Sequence, residues 1–169
     1  MEKVAERIAI PLGILASAST IVMMLGISAD VVYRNVAGRS IPGVLELTES
    51  ALVATVFFGL AYAGTSGSHI AVDLLVRRFP RRVAQWTMVT AWVLSAGILA
   101  WLIYASFERA VDSLGRGETR MGLVSWPLWP ARWMIVIGFS AWLLVAVVNI
   151  VRLVRGHLPM GEEEEEDLT

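Results

Sequence analysis

The sequence predicts an all-α integral membrane protein with four tilted transmembrane helices. Three observations predict it. Of the 169 residues, 56% are hydrophobic and only 17% charged, where a soluble domain carries about 25% charged residues. The charges are clustered, so long windows nearly free of them alternate with short windows holding several. That is the pattern of spans and loops. The apolar windows fall at about residues 8–33, 45–64, 83–107 and 131–151. Most exceed the ~20 residues that a crossing needs, which implies tilt. The windows make one membrane domain, residues 1–158, followed by an acidic tail, residues 159–169.

The first span follows Glu2, Lys3, Glu6 and Arg7. Ala16-Ser17-Ala18 has the look of a cleavage site, but the apolar run continues through Ile27, which fits an uncleaved anchor better. Pro11 falls in the first turns, where a missing N–H does little harm. Asp30 and Arg34 close the span four residues apart and can pair on one face. The first loop, from Arg34 to about Val44, is rich in turn-forming residues: Asn35, Gly38, Ser40, Pro42 and Gly43, with Arg39 among them.

The second span belongs to the stretch Glu46 to Asp73, around which the other segments are arranged. Glu46 and Glu49 open it, where the positive end of the helix dipole favours negative charge. Two readings of these acids stand level: compensation by the dipole, or contact with a partner's basic or polar group. Ala51, Thr55, Gly59, Ala63 and Gly67 recur every four residues. On a helix they form a smooth stripe that admits a second helix closely. That second helix could be a partner's or another span of this chain.

The second loop, from about Thr65 to Arg82, contains His69, Asp73 and Ile70 to Val76, whose spacing fits a short interfacial helix ended by Pro80. Arg77, Arg78, Arg81 and Arg82 make it the most basic loop, suited to fixing topology and meeting the anionic headgroups of phospholipid. The third span carries Trp86 and Tyr104 near opposite ends, at headgroup level. Glu108 to about Leu128 reads as a mixed loop with Arg109, Asp112, Arg116, Glu118 and Arg120. Trp126, Pro127, Trp129, Pro130 and Trp133 mark an interfacial belt and a helix start. Asn149 is the strongly polar residue of the fourth span, placed to bond a neighbouring helix. Arg152 and Arg155 close that span.

Orientation follows from Lys and Arg. One side holds Lys3, Arg7, Arg77, Arg78, Arg81, Arg82, Arg152 and Arg155; the other holds Arg34, Arg39, Arg109, Arg116, Arg120 and Arg132. The totals barely differ, but the four clustered arginines of the second loop belong in the cytoplasm. Both termini are therefore expected inside. The tail from Glu162 to Asp167 holds six of the 15 acids. It cannot pack a core and reads as disordered.

The sequence offers no site for catalysis. It has no cysteine and two histidines, His69 and His157, neither of them mid-span. This removes disulfides and thiolate metal sites and leaves no axial pair for a haem. No phosphate loop, nucleotide fingerprint or nucleophile motif occurs, and no cofactor, metal or nucleic acid is implied. A carrier needs intramembrane polar groups or broken helices; here the spans are continuous and hold no mid-bilayer acid. The chain reads as a scaffold or accessory subunit.

The order Asp30-Val-Val-Tyr33-Arg34-Asn35, Gly38, Ile41-Pro42-Gly43, Glu46-Leu47-Thr48-Glu49, Phe57-Phe58-Gly59-Leu60-Ala61 and His69-Ile70-Ala71-Val72-Asp73 resembles the small membrane subunit of TRAP transporters, the tripartite ATP-independent periplasmic transporters. The resemblance implies a tight pairing with a large membrane subunit that carries sodium and an organic acid, and docking of a periplasmic substrate-binding protein. The small subunit would brace the large one and bind neither sodium nor substrate. On that basis Glu46, Glu49, Thr55, Gly59 and Ala63 are candidates for the large-subunit interface. Arg34, Arg39, Arg116 and Arg120 are candidates for docking the binding protein, with solvated loop charges as the plainer alternative. The acidic tail is outside the family pattern. A second hypothesis is a membrane anchor or assembly subunit of another complex. A third, a small membrane enzyme, has no residues to carry it. Which substrate is carried is not written in this chain.

Overall fold

The computed structural model describes residues 2–65, 81–120 and 124–155. Four helices, each long and apolar enough to cross a membrane, account for nearly all of them. They are α1 (Glu2–Ala37), α2 (Val44–Ala63), α3 (Arg81–Arg116) and α4 (Trp129–Val154). A two-stranded antiparallel hairpin, β1 (Thr119–Arg120) and β2 (Trp126–Pro127), joins α3 to α4. The expected interfacial helix at Ile70–Val76, the acidic tail, Gly67, Arg77 and Arg78 lie outside the described residues. Arg81 and Arg82 open α3.

The helices are not arranged in sequence order. α1 packs on α2, α2 on α4, and α4 on α3, with a smaller contact between α1 and α4. Helices α2 and α4 are therefore central, and α1 and α3 flank them. Lipid is as apolar as a leucine side chain, so close packing holds such helices together more than the hydrophobic effect does. The residues agree with this. A Cβ on Gly138 of α4 would lie 2.4 Å from the Phe57 carbonyl oxygen of α2, so only glycine permits this crossing. Beside it the Phe57 and Phe139 rings meet edge to face, centroids 5.0 Å apart. Gly13 of α1 faces the Tyr62 ring at similarly close range. Leu12, Ala16, Ala54, Phe58, Ala61 and Ala141 form the main core cluster, where three helices meet.

Two helices run further than the hydropathy windows suggest. α1 begins at Glu2, so Pro11 lies inside it and not in its first turns. The Arg7 carbonyl consequently lacks its intrahelical donor. Ser17, Ser19 and Thr20 turn their hydroxyls back onto carbonyls four residues earlier, which hides these donors from lipid. α3 does not end near Phe107. The segment Glu108–Arg116, expected as loop, continues the helix to Arg116. Two i,i+4 contacts support the extension, Tyr104 with Glu108 and Asp112 with Arg116. No proline intervenes, Gly115 stays within the helix, and the stop comes at Gly117, which adopts φ 59°. There Gly117 N–H bonds the Leu114 carbonyl and Glu118 N–H the Ser113 carbonyl, a Schellman stop that favours glycine. Hydropathy marks only the apolar part of a helix, so it missed this polar extension.

Candidate functional site at the hairpin end

The C-termini of α1 and α3, the N-termini of α2 and α4, and the hairpin lie at one end of the bundle. The polar side chains of that end are assembled from all these elements. Asp30, near the end of α1, is 8% exposed. One carboxylate oxygen accepts from Arg34 at 2.6 Å and the other from the Ile41 backbone N–H at 2.7 Å. This single side chain ties the loop back onto α1. Gly38 and Gly43, with φ 69° and 91°, make the turn into α2, a backbone conformation that favours glycine.

The hairpin is fastened to α2. Arg120 of β1 pairs with Glu49, and the Trp126 indole N–H of β2 donates to Ser50 Oγ at 3.0 Å. Glu46, Glu49 and Ser50 are spaced i, i+3 and i+4, which places them on one helix face. The hairpin is also tied to the helices on either side of it. Leu128 N–H bonds the Glu118 carbonyl. Arg132 of α4 reaches the Glu118 carboxylate at 2.8 Å and the Arg109 carbonyl at 3.2 Å. Phe107 and Trp133 stack edge to face beneath it, centroids 5.8 Å apart.

These contacts place the candidate docking arginines and the small-residue stripe of α2. Arg34, Arg116 and Arg120 are each engaged by an acid of the same chain, Asp30, Asp112 and Glu49 respectively. The Arg116 and Arg120 pairs are largely open to solvent, so each contributes only ~0.2–1 kcal/mol. Arg39 is exposed, and no acid among the described residues pairs with it. The small-residue stripe divides. Thr55 Oγ1 lies 3.3 Å from Thr20 Oγ1 and 3.4 Å from the Ala16 carbonyl, and Gly59 faces Ala16. Both therefore take part in the packing of α2 on α1, the intramolecular alternative, and are half-buried there. Ala63 is half-buried at the end of the same helix. At the opposite end of the bundle Asn149 is fully enclosed, and Arg152, expected as a closing charge, is 8% exposed.

Glu46 behaves differently. It is the third residue of α2 and only 5% exposed. Yet no donor among the described residues reaches its carboxylate. Every other described acid at this end has a partner: Asp30 has Arg34, Glu49 has Arg120, Glu108 has Tyr104, Asp112 has Arg116, and Glu118 has Arg132. The α2 dipole favours Glu46 by ~0.3–1 kcal/mol, and up to ~2 kcal/mol in partly buried geometry. The Glu46 carboxylate oxygens are not among the fully enclosed, unpartnered polar atoms of the described residues, so they still reach the surface at the start of α2. Sequence spacing could place Glu46 at a helix start but could not show that it alone lacks a partner. That depends on which loop charges fold back onto α2.

Among the described residues no group of three or more histidine, aspartate and glutamate side chains could hold a metal ion. The comparisons with known proteins agree in kind with this geometry. A family model described as "Tripartite ATP-independent periplasmic transporters, DctQ component" matches residues 23–156. No curated protein and no solved structure matches the chain. The family match runs from the middle of α1 through the hairpin to the end of α4 and so includes every ion pair described above. The chain therefore belongs to the DctQ component family of the tripartite ATP-independent periplasmic transporters, as a non-catalytic, multi-pass membrane component.

Proposed function

We propose that this chain is the small membrane subunit of a sodium-driven organic acid importer. It braces a large membrane subunit that carries the solute and helps to dock a periplasmic substrate-binding protein. The observation that carries this reading is the family match over most of a chain made of apolar helices. Both termini are placed in the cytoplasm by the arginine run of the second loop, which puts the hairpin end in the periplasm. In that orientation the ends of α1 and α3 and the hairpin form a charged platform where a soluble protein can settle.

The flanking helices support a bracing role. α3 packs mainly on α4 and leaves Leu94, Ile98 and Trp101 exposed. On the other flank Ile14, Leu25 and Val32 of α1 are exposed. Lipid and a partner's helices can both cover such apolar surface, so the test is assembly. The tagged chain, co-expressed with the large subunit of its own transport system, is expected to recover that subunit from detergent extract. Solute uptake by membrane vesicles should require both. A chain that is stable alone and recovers no large subunit would defeat the proposal. For docking, Arg39 is the informative residue because no acid among the described residues pairs with it. Arg39→Glu is expected to reduce uptake and leave recovery of the large subunit intact; unchanged uptake would remove Arg39 from that role.

A further inference from the structure

We infer that one exposed line of α3, Gly97, Ala100, Tyr104, Phe107, Val111 and Leu114, is the docking seam for a long helix of the large membrane subunit. This rests on reading the chain as the small subunit and names the surface that reading leaves open. The residues recur at alternating steps of three and four, the spacing at which two helices stay in contact over many turns. They cover about 25 Å of helix at ~1.5 Å per residue. All of them are exposed, although Phe107 also meets Trp133 edge to face. Another face of α3, with Leu99, Ala110 and Ser113, is buried.

Exposure alone does not single out this line; its chemistry does. The adjoining line lies one residue further along, at Leu94, Ile98, Trp101, Glu108 and Asp112. Its first three members are exposed and apolar, and its last two are charged. The Asp112 and Arg116 side chains are 66% and 74% exposed, and charged groups so open cannot face hydrocarbon. The segment from Glu108 to Arg116 therefore lies outside the bilayer core. The adjoining line turns from apolar to charged where lipid ends, as a lipid-facing surface must. The seam does not turn. Val111 and Leu114, 46% and 52% exposed, stay apolar beside those charges. A contiguous apolar line beyond the lipid marks a protein contact.

The occupant must follow the whole seam. Gly97 lies within the uncharged run Val83 to Phe107, and Leu114 lies beyond it. Acyl chains cover only the first part, and a soluble binding protein reaches only the second. A helix of another membrane chain covers both. A second copy of this chain fits poorly. Parallel identical helices set glycine against glycine and ring against ring at equal levels. The Tyr104 and Phe107 rings would then meet while Gly97 and Ala100 stood apart. A different helix, bulky opposite Gly97 and Ala100 and small opposite the two rings, fills both levels. The charge beside the seam adds to this. Glu108 borders it and accepts from the Tyr104 hydroxyl, so a lysine or arginine of the partner helix at that level is complementary.

The test compares the subunit alone with the two-subunit complex in detergent. The chain has no cysteine, so single cysteines report accessibility without background. Val111→Cys should label with a water-soluble maleimide in the isolated subunit and be protected in the complex, while Asp112→Cys labels alike in both. Gly97→Leu adds bulk where nothing lies within 4 Å of a new Cβ. It should leave unfolding of the isolated subunit unchanged and weaken binding of the large subunit by about tenfold. Ile98→Phe adds bulk on the adjoining line and should leave binding unchanged. Protection of Val111→Cys no greater than that of Asp112→Cys, or equal binding by the wild type and Gly97→Leu, would overturn the inference and leave the subunit reading standing. Protection of Val111→Cys in the isolated chain, with a dimer on sizing, would overturn it in favour of a second copy. Protection by the binding protein without the large subunit would overturn it in favour of that protein. A wild-type chain that binds no large subunit would overturn both readings.

Discussion

Arg120 of the hairpin is held by Glu49 of α2, two residues 71 positions apart in the chain. The pair closes the hairpin over the start of α2 and turns a loop arginine into part of the scaffold. Its two side chains are 48% and 38% exposed, so its contribution to stability is small, ~0.2–1 kcal/mol. Its effect is on position. The charge-swapped pair Arg120→Glu with Glu49→Arg should restore what either single reversal loses. A double-mutant cycle on thermal unfolding measures the coupling, and additive effects would show that the two residues act independently.

The Trp126 contact to Ser50 is the second fastening. Trp126→Phe removes the indole donor while keeping an aromatic ring, and should cost ~1 kcal/mol. Ser50→Ala should cost somewhat more, because Ser50 Oγ also donates to the Glu46 carbonyl, and the double variant little more than Ser50→Ala, because the bond between the two side chains is lost in all three. Amide hydrogen exchange in the hairpin reports whether that bond holds it down.

Gly138 sets the spacing of the central helices. Gly138→Ala places a methyl group against the Phe57 carbonyl, where a Cβ would stand at 2.4 Å. α2 and α4 must then separate, at ~1–3 kcal/mol. Gly97→Ala is the matched control, since nothing lies within 4 Å of its added Cβ. It should leave stability unchanged or raise it by up to ~1 kcal/mol through helix propensity. Unfolding of both variants in the same detergent separates packing from propensity.

Gly59 distinguishes an internal surface from an external one. A Cβ there would meet Ala16 at 3.9 Å, an ordinary contact, so Gly59→Ala should be tolerated. Gly59→Leu should push α1 from α2 and lower the unfolding temperature of the isolated chain, with weaker assembly following from that. Leu60→Ala should do less. A Gly59→Leu chain that is stable alone but fails to assemble would place this face at the partner instead.

Asp30 serves two donors at once. Asp30→Asn retains an acceptor for the Ile41 N–H but loses the charge that holds Arg34; Asp30→Ala loses both. Hydrogen exchange at the Ile41 amide should therefore rise more in the alanine variant than in the asparagine variant. Equal protection in both would show that the loop is held by its glycine turns alone.

The sequence by itself determined the class of the protein. Long apolar windows between charged clusters dictate membrane-crossing helices, because backbone polar groups in lipid must be satisfied within the segment. The motif order from Asp30 to Asp73 was enough to indicate the family, and the Asp30–Arg34 pair was legible because its four-residue spacing lies on one helix face. The same local rules failed where a polar helix continues an apolar one, as at Glu108–Arg116, and where Pro11 sits inside α1. Only the tertiary structure decided the neighbour order, with α4 between α2 and α3, since hydropathy does not say which face meets which helix. It also decided that Thr55 and Gly59 face α1 and that Arg120 returns to Glu49. These are contacts between distant positions, and spacing along one helix carries no information about the residue brought opposite by another.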